Sequence, residues 1–456
     1  MSFYNNIKDL YWGLPCLSDH QKEFIFNFLR KKIRGEQKGI HGSQDLELYV
    51  RDILGVQSLN NEFSIDFPKL DGFSLGQNDP RLIAYYLPQF YPDPHNELWW
   101  GKGTTEWTNV SKSMPQYIGH YQPRLPGELG FYDLRIRENI ERQVELAKIF
   151  GIYGFCYYFY WFNGERLLNL PFENFMNDEN IDFPFCICWV NESWTRQWGG
   201  VSNAPLITQD QSVESYKKFI ESCIPIFERE NYIQVDGKPV LIIYKSLHVP
   251  EVKAVLDYWR DYVYKTIGKE LYIVASMEAS KDTLNHDYLT DGYDASSEFA
   301  PGPQMLFMKK ITDSKKFVCD SFQGVIYDYK DFVEKKGYFS YSNKKQFRAV
   351  CPMWDNTARR KNSSTVLDGA TPALYRKWLA DIIRETLSNK DIEEPFIFIN
   401  AWNEWAEGAY LEPDLRWKYG YLEATRDAIL ESRSTGRKIG EKLMINKKDW
   451  NRNSEL

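Results

Sequence analysis

Two glutamates three positions apart, Glu404 and Glu407, stand in the stretch INAWNEWAEG (399–408), with Trp402 and Trp405 beside them. The residues just before, PFIF (395–398), read as a buried strand. Two carboxyl groups about 5–10 Å apart are the equipment of glycosidic chemistry. In a continuing strand, positions i and i+3 face opposite sides and could not share a substrate. If the chain turns after Asn403 into a helical or loop conformation, the two acids become neighbours. Gly408 supplies the backbone freedom for such a turn. Flanking tryptophans would exclude water and raise the pKa of one acid until it keeps its proton near neutrality. The competing reading is a solvated turn with incidental aromatics.

The same mixture of aromatic and polar residues recurs where other apolar runs end. The run containing Tyr86 is followed by Gln89, Trp100, Glu106 and Trp107. A second run ends in Tyr160 and Trp161, and a third leads into Asn191, Glu192, Trp194 and Arg196. A later one delivers Trp354, Asp355, Asn356 and Arg359, and the last Trp402, Asn403 and Trp405. Aromatic faces stack on sugar rings, and amides, carboxylates and guanidinium groups bond to hydroxyls. A lone tryptophan beside a polar residue is usually a loop anchor. Recurrence at five places points to a carbohydrate site.

The elements that must position these residues can be read from periodicity. After Arg81, apolar runs rich in β-branched and aromatic residues occur at 82–87, 153–162, 183–190, 239–244, 271–276, 292–297, 347–354 and 395–400. Helical patterns separate several of them. Asp133 is placed to cap a helix carrying Ile136, Ile140, Val144 and Ala147 on one face and ending at Gly151. Thr371-Pro372 is a cap followed by a proline at the first helical position, ahead of the stripe Leu374, Trp378, Leu379, Ile382 and Ile383. Near-continuous apolar strands alternating with amphipathic helices predict an α/β fold, a (β/α)8 TIM barrel with long βα loops over residues 79–435. A doubly wound sheet is the alternative. Residues 1–78 read as a small N-terminal helical extension, with Ser18 and Gln21 as a capping box ahead of Phe24, Ile25, Phe28 and Leu29. Residues 436–456 read as a basic C-terminal tail.

Composition removes several classes. A net charge of -7 gives no reason to expect nucleic acid. The six histidines are scattered, and there is no P-loop and no D-x-D triplet, so neither cofactor nor metal is expected. The seven cysteines are odd in number and mostly embedded in apolar runs, which fits buried thiols in a reducing compartment. The opening MSFYNNIKDLYWGLP lacks the pattern of a secretory leader, so a cytoplasmic location is expected. Arg196, Arg359 and Arg360 are candidates to hold the phosphate of an activated sugar. The tail residues Arg437, Lys438, Lys442, Lys447 and Lys448 suggest contact with an anionic inner-membrane surface, where lipid-linked substrates sit.

Long segments of the chain then resemble a known group. AYYLPQFYPDPHN, GTTEWTNV, YQPRLPGELGFYDLR, GIYGFCYYFYWFNG, CWVNESWTRQW, PMWDNTARR and FINAWNEWAEGAYLEP look like those of the WbsX-type glycosyltransferases, also described as glycoside hydrolase family 99-like proteins. The resemblance covers residues 81 to 420 and implies a (β/α)8 barrel. The related family 99 endo-α-mannosidases carry an N-E-W-x-E-G segment matching Asn403 to Gly408. By that resemblance Glu404 takes the proton of a sugar 2-hydroxyl, closing a 1,2-anhydro ring with overall retention. Glu407 is then the general acid, and later base, at the leaving and entering oxygens. Ala406 is a departure, since those hydrolases carry histidine there. The resemblance further implies retaining glycosyl transfer in bacterial O-antigen or capsule assembly, between a sugar donor and a glycan acceptor. An endo-acting, α-mannosidase-like hydrolase would use the same pair, and a non-catalytic glycan-binding barrel is a third reading.

Overall fold

The computed structural model describes residues 43–54, 73–195, 205–318, 321–341 and 345–434. The expected capping box and stripe at residues 18–29, Arg196 and the basic tail lie outside the described residues. A helix, Ser43–Leu54, falls in the expected extension. Phe73 packs against the main core, and Arg433 donates to the Ser74 carbonyl while pairing with Asp79, so residues 73–79 are pinned to the last helical segment.

The runs read from the sequence are strands: β1 (Arg81–Tyr86), β2 (Ile152–Phe162), β3 (Phe185–Trp189), β4 (Lys238–Ile243), β5 (Tyr272–Met277), β6 (Ala295–Glu298), β7 (Gln346–Val350) and β8 (Phe396–Ile399). Each pairs in parallel with the next, and β8 pairs with β1, so the sheet closes into a barrel. The doubly wound alternative is thereby excluded, because an open sheet would leave β1 and β8 as edges. The helices used below are α1 (Pro94–Trp100), α2 (Glu106–Ser111), α3 (Arg137–Ile149), α4 (Val213–Phe227), α5 (Val252–Ile267), α6 (Thr357–Arg360) and α7 (Pro372–Ser388).

Packing explains why the strands read as unbroken apolar runs: both of their faces are covered. Alternation sends Tyr85 and Tyr158 inward, where they stack at 5.5 Å between ring centroids. It sends Trp189 outward onto Phe219 of α4, at 4.3 Å, and Trp259 of α5, at 5.8 Å. Cys156, Cys186 and Cys188 are buried free thiols on these strands, with Cys156 opposite Cys186.

Two helix starts differ in how far the sequence located them. Thr371 caps α7 as expected, its side chain accepting from Leu374 N–H, and Trp378, Leu379, Ile382 and Ile383 are buried while Leu374 is only partly so. Asp133 does not cap α3. Its carboxylate instead accepts from the Arg135 amide and pairs with the Arg135 guanidinium, and the helix begins after Ile136, which is exposed. A competing local turn took the acid that the helix could have used.

Candidate active site

The cavity lies over the C-terminal ends of the strands and encloses about 710 Å³. Its lining includes Gln89 after β1, Tyr158 and Tyr160 of β2, Val190 after β3, Tyr244 after β4, Phe299 after β6, Trp354 after β7 and Glu404 after β8. Trp100, Trp194, Asn356, Arg359 and Glu407 complete the part of the expected set that faces the cavity. Trp194 stands edge-on to Tyr160 at 4.9 Å and to Trp99 at 5.7 Å. An aromatic wall of this kind suits the apolar faces of sugar rings.

The acids are presented by a tight structure after β8. Asn403 and Glu404 pair in antiparallel fashion with Tyr410 and Ala409, around a one-turn 3₁₀ helix at Trp405–Glu407. Gly408 then takes φ of 58°. A Cβ at that position would meet Arg124 Nε, Asp355 Cβ and the Asp355 carbonyl, each at 2.9 Å, so conformation and space both require glycine. Asn403 spans the gap to the end of β1: its Oδ1 accepts from Leu87 N–H at 2.7 Å and its Nδ2 donates to the Leu87 carbonyl at 3.0 Å. The chain does turn after Asn403, and the two acids share one side.

One guanidinium meets both of them. Arg359 Nη1 donates to Glu407 Oε1 at 2.9 Å, and Nη2 donates to Glu404 Oε2 at 3.0 Å and to Glu106 Oε1 at 2.8 Å. The terminal nitrogens of a guanidinium are ~2.3 Å apart, so the two bound oxygens of Glu404 and Glu407 lie within about 8 Å of each other, inside the range of glycosidic chemistry. Glu106 is fully buried, and its Oε1 also accepts from Ala406 N–H at 3.1 Å. It thus fixes both the guanidinium and the middle of the turn. Burial raises the pKa of Glu404 well above the ordinary glutamate value, Arg359 opposes the rise, and Glu407 and Glu106 add to it. Burial also raises Glu407, against Arg359 and with Glu106. Burial alone would favour a neutral Arg359, but Glu106, Glu404 and Glu407 hold it firmly protonated. Three carboxylates share this one guanidinium, so its opposition to the rise is divided among them. The expectation that Arg359 grips a phosphate does not fit this arrangement, because its fork is filled by three carboxylates.

Several expected site residues lie elsewhere. Trp402 and Trp405 face away from the cavity, into the core. Trp402 packs on Phe155 at 5.2 Å, and Trp405 stacks on Tyr410 at 3.8 Å and meets Trp107 at 5.4 Å. Burying each contributes on the order of 5 kcal/mol before entropy is counted, so they anchor the turn rather than touch sugar. Trp107 donates through Nε1 to the Tyr132 carbonyl. Tyr86 and Trp161 are on the outward face of their strands, Tyr86 bonding to Gln143 of α3 and Trp161 packing on Phe219 of α4. Asn191 closes a backbone gap, exchanging bonds with Lys245 N–H and C=O, and Glu192 lies 3.7 Å from Lys245 Nζ.

Asp355 is turned into the core. It accepts from Gln122 Nε2 at 2.6 Å and faces His120 Nε2 at 2.8 Å, and His120 and Arg124 hold its carboxyl well below the usual range despite burial. His120 Nδ1 accepts from Gln116 N–H, so the ring proton sits on Nε2 and is donated to Asp355. The backbone of Asp355 still serves the site, its N–H donating to the Glu407 carbonyl at 2.7 Å.

Sequence reasoning missed Glu412. This buried carboxylate accepts from Trp405 Nε1 at 2.6 Å, Gln143 Nε2 at 2.6 Å and Tyr132 Oη at 2.9 Å, and burial pushes its pKa up to about 7. An acid eight residues after Glu404, within a run of apolar residues, was the available signal. No group of three or more His, Cys, Asp or Glu residues that could hold a metal ion occurs among the described residues.

The fold is a (β/α)8 barrel, with two acids on the lining of an aromatic-walled cavity at the C-terminal ends of its strands. The chain belongs to the glycosyltransferase WbsX family, which it matches over residues 82–425. It is 38% identical over 348 residues to "Uncharacterized protein WxcX" of Xanthomonas campestris pv. campestris strain B100, and equally to that of strain ATCC 33913. Each alignment takes in 76% of this chain and 49% of the relative, so the chain spans about half the length of the curated relatives it matches. Among solved structures, a glycoside hydrolase-like protein aligns with a TM-score of 0.49 and 14% identity, covering 81% of this chain and 98% of the other. A GH99 endo-alpha-mannosidase from Bacteroides thetaiotaomicron aligns with a TM-score of 0.48 and 15% identity, covering 78% and 98%. Among the described residues no helix is long and apolar enough to cross a membrane.

Proposed function

We propose that this protein is a retaining glycosyltransferase of bacterial surface polysaccharide assembly, with Glu404 and Glu407 as its catalytic acids. The observation that carries the reading is the pair itself, turned to one side at the floor of the cavity and joined through Arg359. Sugar rings stack on Trp100, Tyr160 and Trp194, and the 2-hydroxyl of the donor sugar meets Glu404. Glu404 takes that proton as the 2-oxygen closes on the anomeric carbon, and the leaving group departs with its electron pair, its oxygen receiving the proton of Glu407. Glu407 then takes the proton of the acceptor hydroxyl that opens the ring, and Glu404 returns its proton to the 2-oxygen. Two displacements at one carbon give overall retention.

In the resting protein burial raises both acids, whereas a base followed by an acid requires Glu404 ionised and Glu407 protonated. The bound sugar must therefore stabilise the Glu404 carboxylate, through its 2-hydroxyl, and leave the proton with Glu407. Family membership favours transfer, and an endo-hydrolase would use the same acids with water as acceptor. Incubation with activated sugars and, separately, with α-mannosyl oligosaccharides distinguishes them by product. The expected result is a new retained linkage that Glu407→Gln abolishes while the protein still binds sugar. Unchanged turnover in Glu407→Gln would overturn the assignment, and a binding-only barrel would show no turnover in any form.

A further inference from the structure

The cavity has two chemically different walls. One is aromatic, with Trp100, Tyr160 and Trp194. The other is built where α2 and α6, which pack together, come to an end, and it presents Lys112, Ser113, Arg360 and Lys361. The lining as a whole carries four cations, these three and Arg359, against two acids, Glu404 and Glu407. A net positive cavity is unexpected in a chain of net charge -7. Arg359 is already matched by carboxylates, so the imbalance rests on Lys112 and Lys361. Among the described residues no ion pair engages Lys112 or Lys361. Ser113 is 6% exposed, and its hydroxyl, like the buried indole N–H of Trp354 on the same cavity, has no hydrogen-bond partner among the described residues. Unbonded donors that border a cavity can be met by acceptor atoms of a ligand.

The wall also has a direction. The positive charge of Arg360 acts on Glu407, the acid assigned to the leaving and entering oxygens. Cations and orphan donors collected on that side suit an oxyanion that departs there. We propose that Lys112, Ser113, Trp354, Arg360 and Lys361 form the binding site for the phosphate groups of a glycosyl diphosphate, the activated form of the sugar donor. This deepens the transfer reading and rests on it for the direction of the reaction. In the first displacement the bond between the anomeric carbon and the phosphate oxygen breaks, and the diphosphate leaves with the electron pair. The wall takes up its remaining negative charge while Glu407 gives the departing oxygen its proton. Glu407, now ionised, acts as base on the acceptor hydroxyl.

Inorganic pyrophosphate is the probe, with a hexuronate as the carboxylate control and a neutral disaccharide as the control for the aromatic wall. Binding is followed by calorimetry at two ionic strengths in wild type, Ser113→Ala and the double variant Lys112→Gln/Lys361→Gln. The two lysines are exposed, so the double variant is expected to melt with the wild type. The proposal expects pyrophosphate to bind the wild type, less tightly as salt is raised, with affinity reduced about tenfold in the double variant and several-fold in Ser113→Ala. Neutral disaccharide should bind all three alike. Absence of pyrophosphate binding, or equal binding in wild type and double variant, overturns it. So does hexuronate binding that is tighter and equally sensitive to the lysines, which would assign the wall to an acidic glycan. Hydrolysis of a neutral glycan alongside lysine-dependent pyrophosphate binding would refute the transfer reading while the anion site stands.

Discussion

Replacing Arg359 by glutamine removes the single cation that Glu106, Glu404 and Glu407 share. The side chain of Arg359 is only 13% exposed, so solvent offers the carboxylates little compensation. Leaving buried charge unpaired costs about 3–5 kcal/mol when the charge persists. It need not persist at every pH. Burial already raises Glu404 and Glu407 above their unfolded values, and loss of the guanidinium raises them further. A carboxyl with a raised folded pKa contributes stability that is fully present below its unfolded pKa and is lost as pH rises through the folded one. The variant therefore loses more than the wild type between pH 5 and pH 8. At pH 5 the carboxyls take up protons, and the deficit should shrink to about 1 kcal/mol, the hydrogen bonds lost. For a barrel of ~350 residues each kcal/mol shifts Tm by about 1.5 °C, giving a deficit of roughly 4–7 °C at pH 8 and about 1–2 °C at pH 5. Thermal unfolding by circular dichroism at the two pH values, wild type beside Arg359→Gln, is the assay. A deficit of the same size at both would show that Arg359 acts by packing alone, and would refute the account of the cluster.

Three further outcomes are expected. Glu412→Gln removes a carboxyl whose pKa stands at about 7 in the folded protein, so the stability that wild type loses as pH rises from ~4.5 to ~7, about 3 kcal/mol at most, should be absent from the variant's denaturation profile. Gly408→Ala forces a Cβ onto Asp355 and Arg124 at positive φ, and should lower stability by about 1–3 kcal/mol in denaturant titrations and slow turnover by displacing Glu407. Trp194→Ala should weaken neutral-sugar binding about tenfold in calorimetry with little change in Tm, because its ring is only partly buried at the cavity wall.

Which parts of this protein were legible in its sequence follows from the range of the interactions involved. The barrel strands were, because burial on both faces leaves a local composition that short windows detect, as in FCICW at Phe185–Trp189. The turn carrying Glu404 and Glu407 was legible too, since an acid pair closed by Gly408 is a local matter of spacing and backbone freedom. Tyr160 and Trp161 were both expected in the site, and period-two alternation, which that expectation did not apply, puts Tyr160 on the cavity and Trp161 against α4. Beyond the strand ends that logic stops. Whether Asp355 or Asn356 faces the cavity depends on how the loop after β7 folds, and the bond from Asp355 N–H to the Glu407 carbonyl helps decide it. The two tryptophans of the opening motif read equally well as sugar platforms and as anchors. Only packing against Phe155, Tyr410 and Glu412 made them anchors. The meeting of Glu106, Arg359, Glu404 and Glu407 could not be read locally at all, because 253 residues separate Glu106 from Arg359. Closure of the barrel brings those strand ends together, and the energy of that cluster exists only once water has been excluded from it.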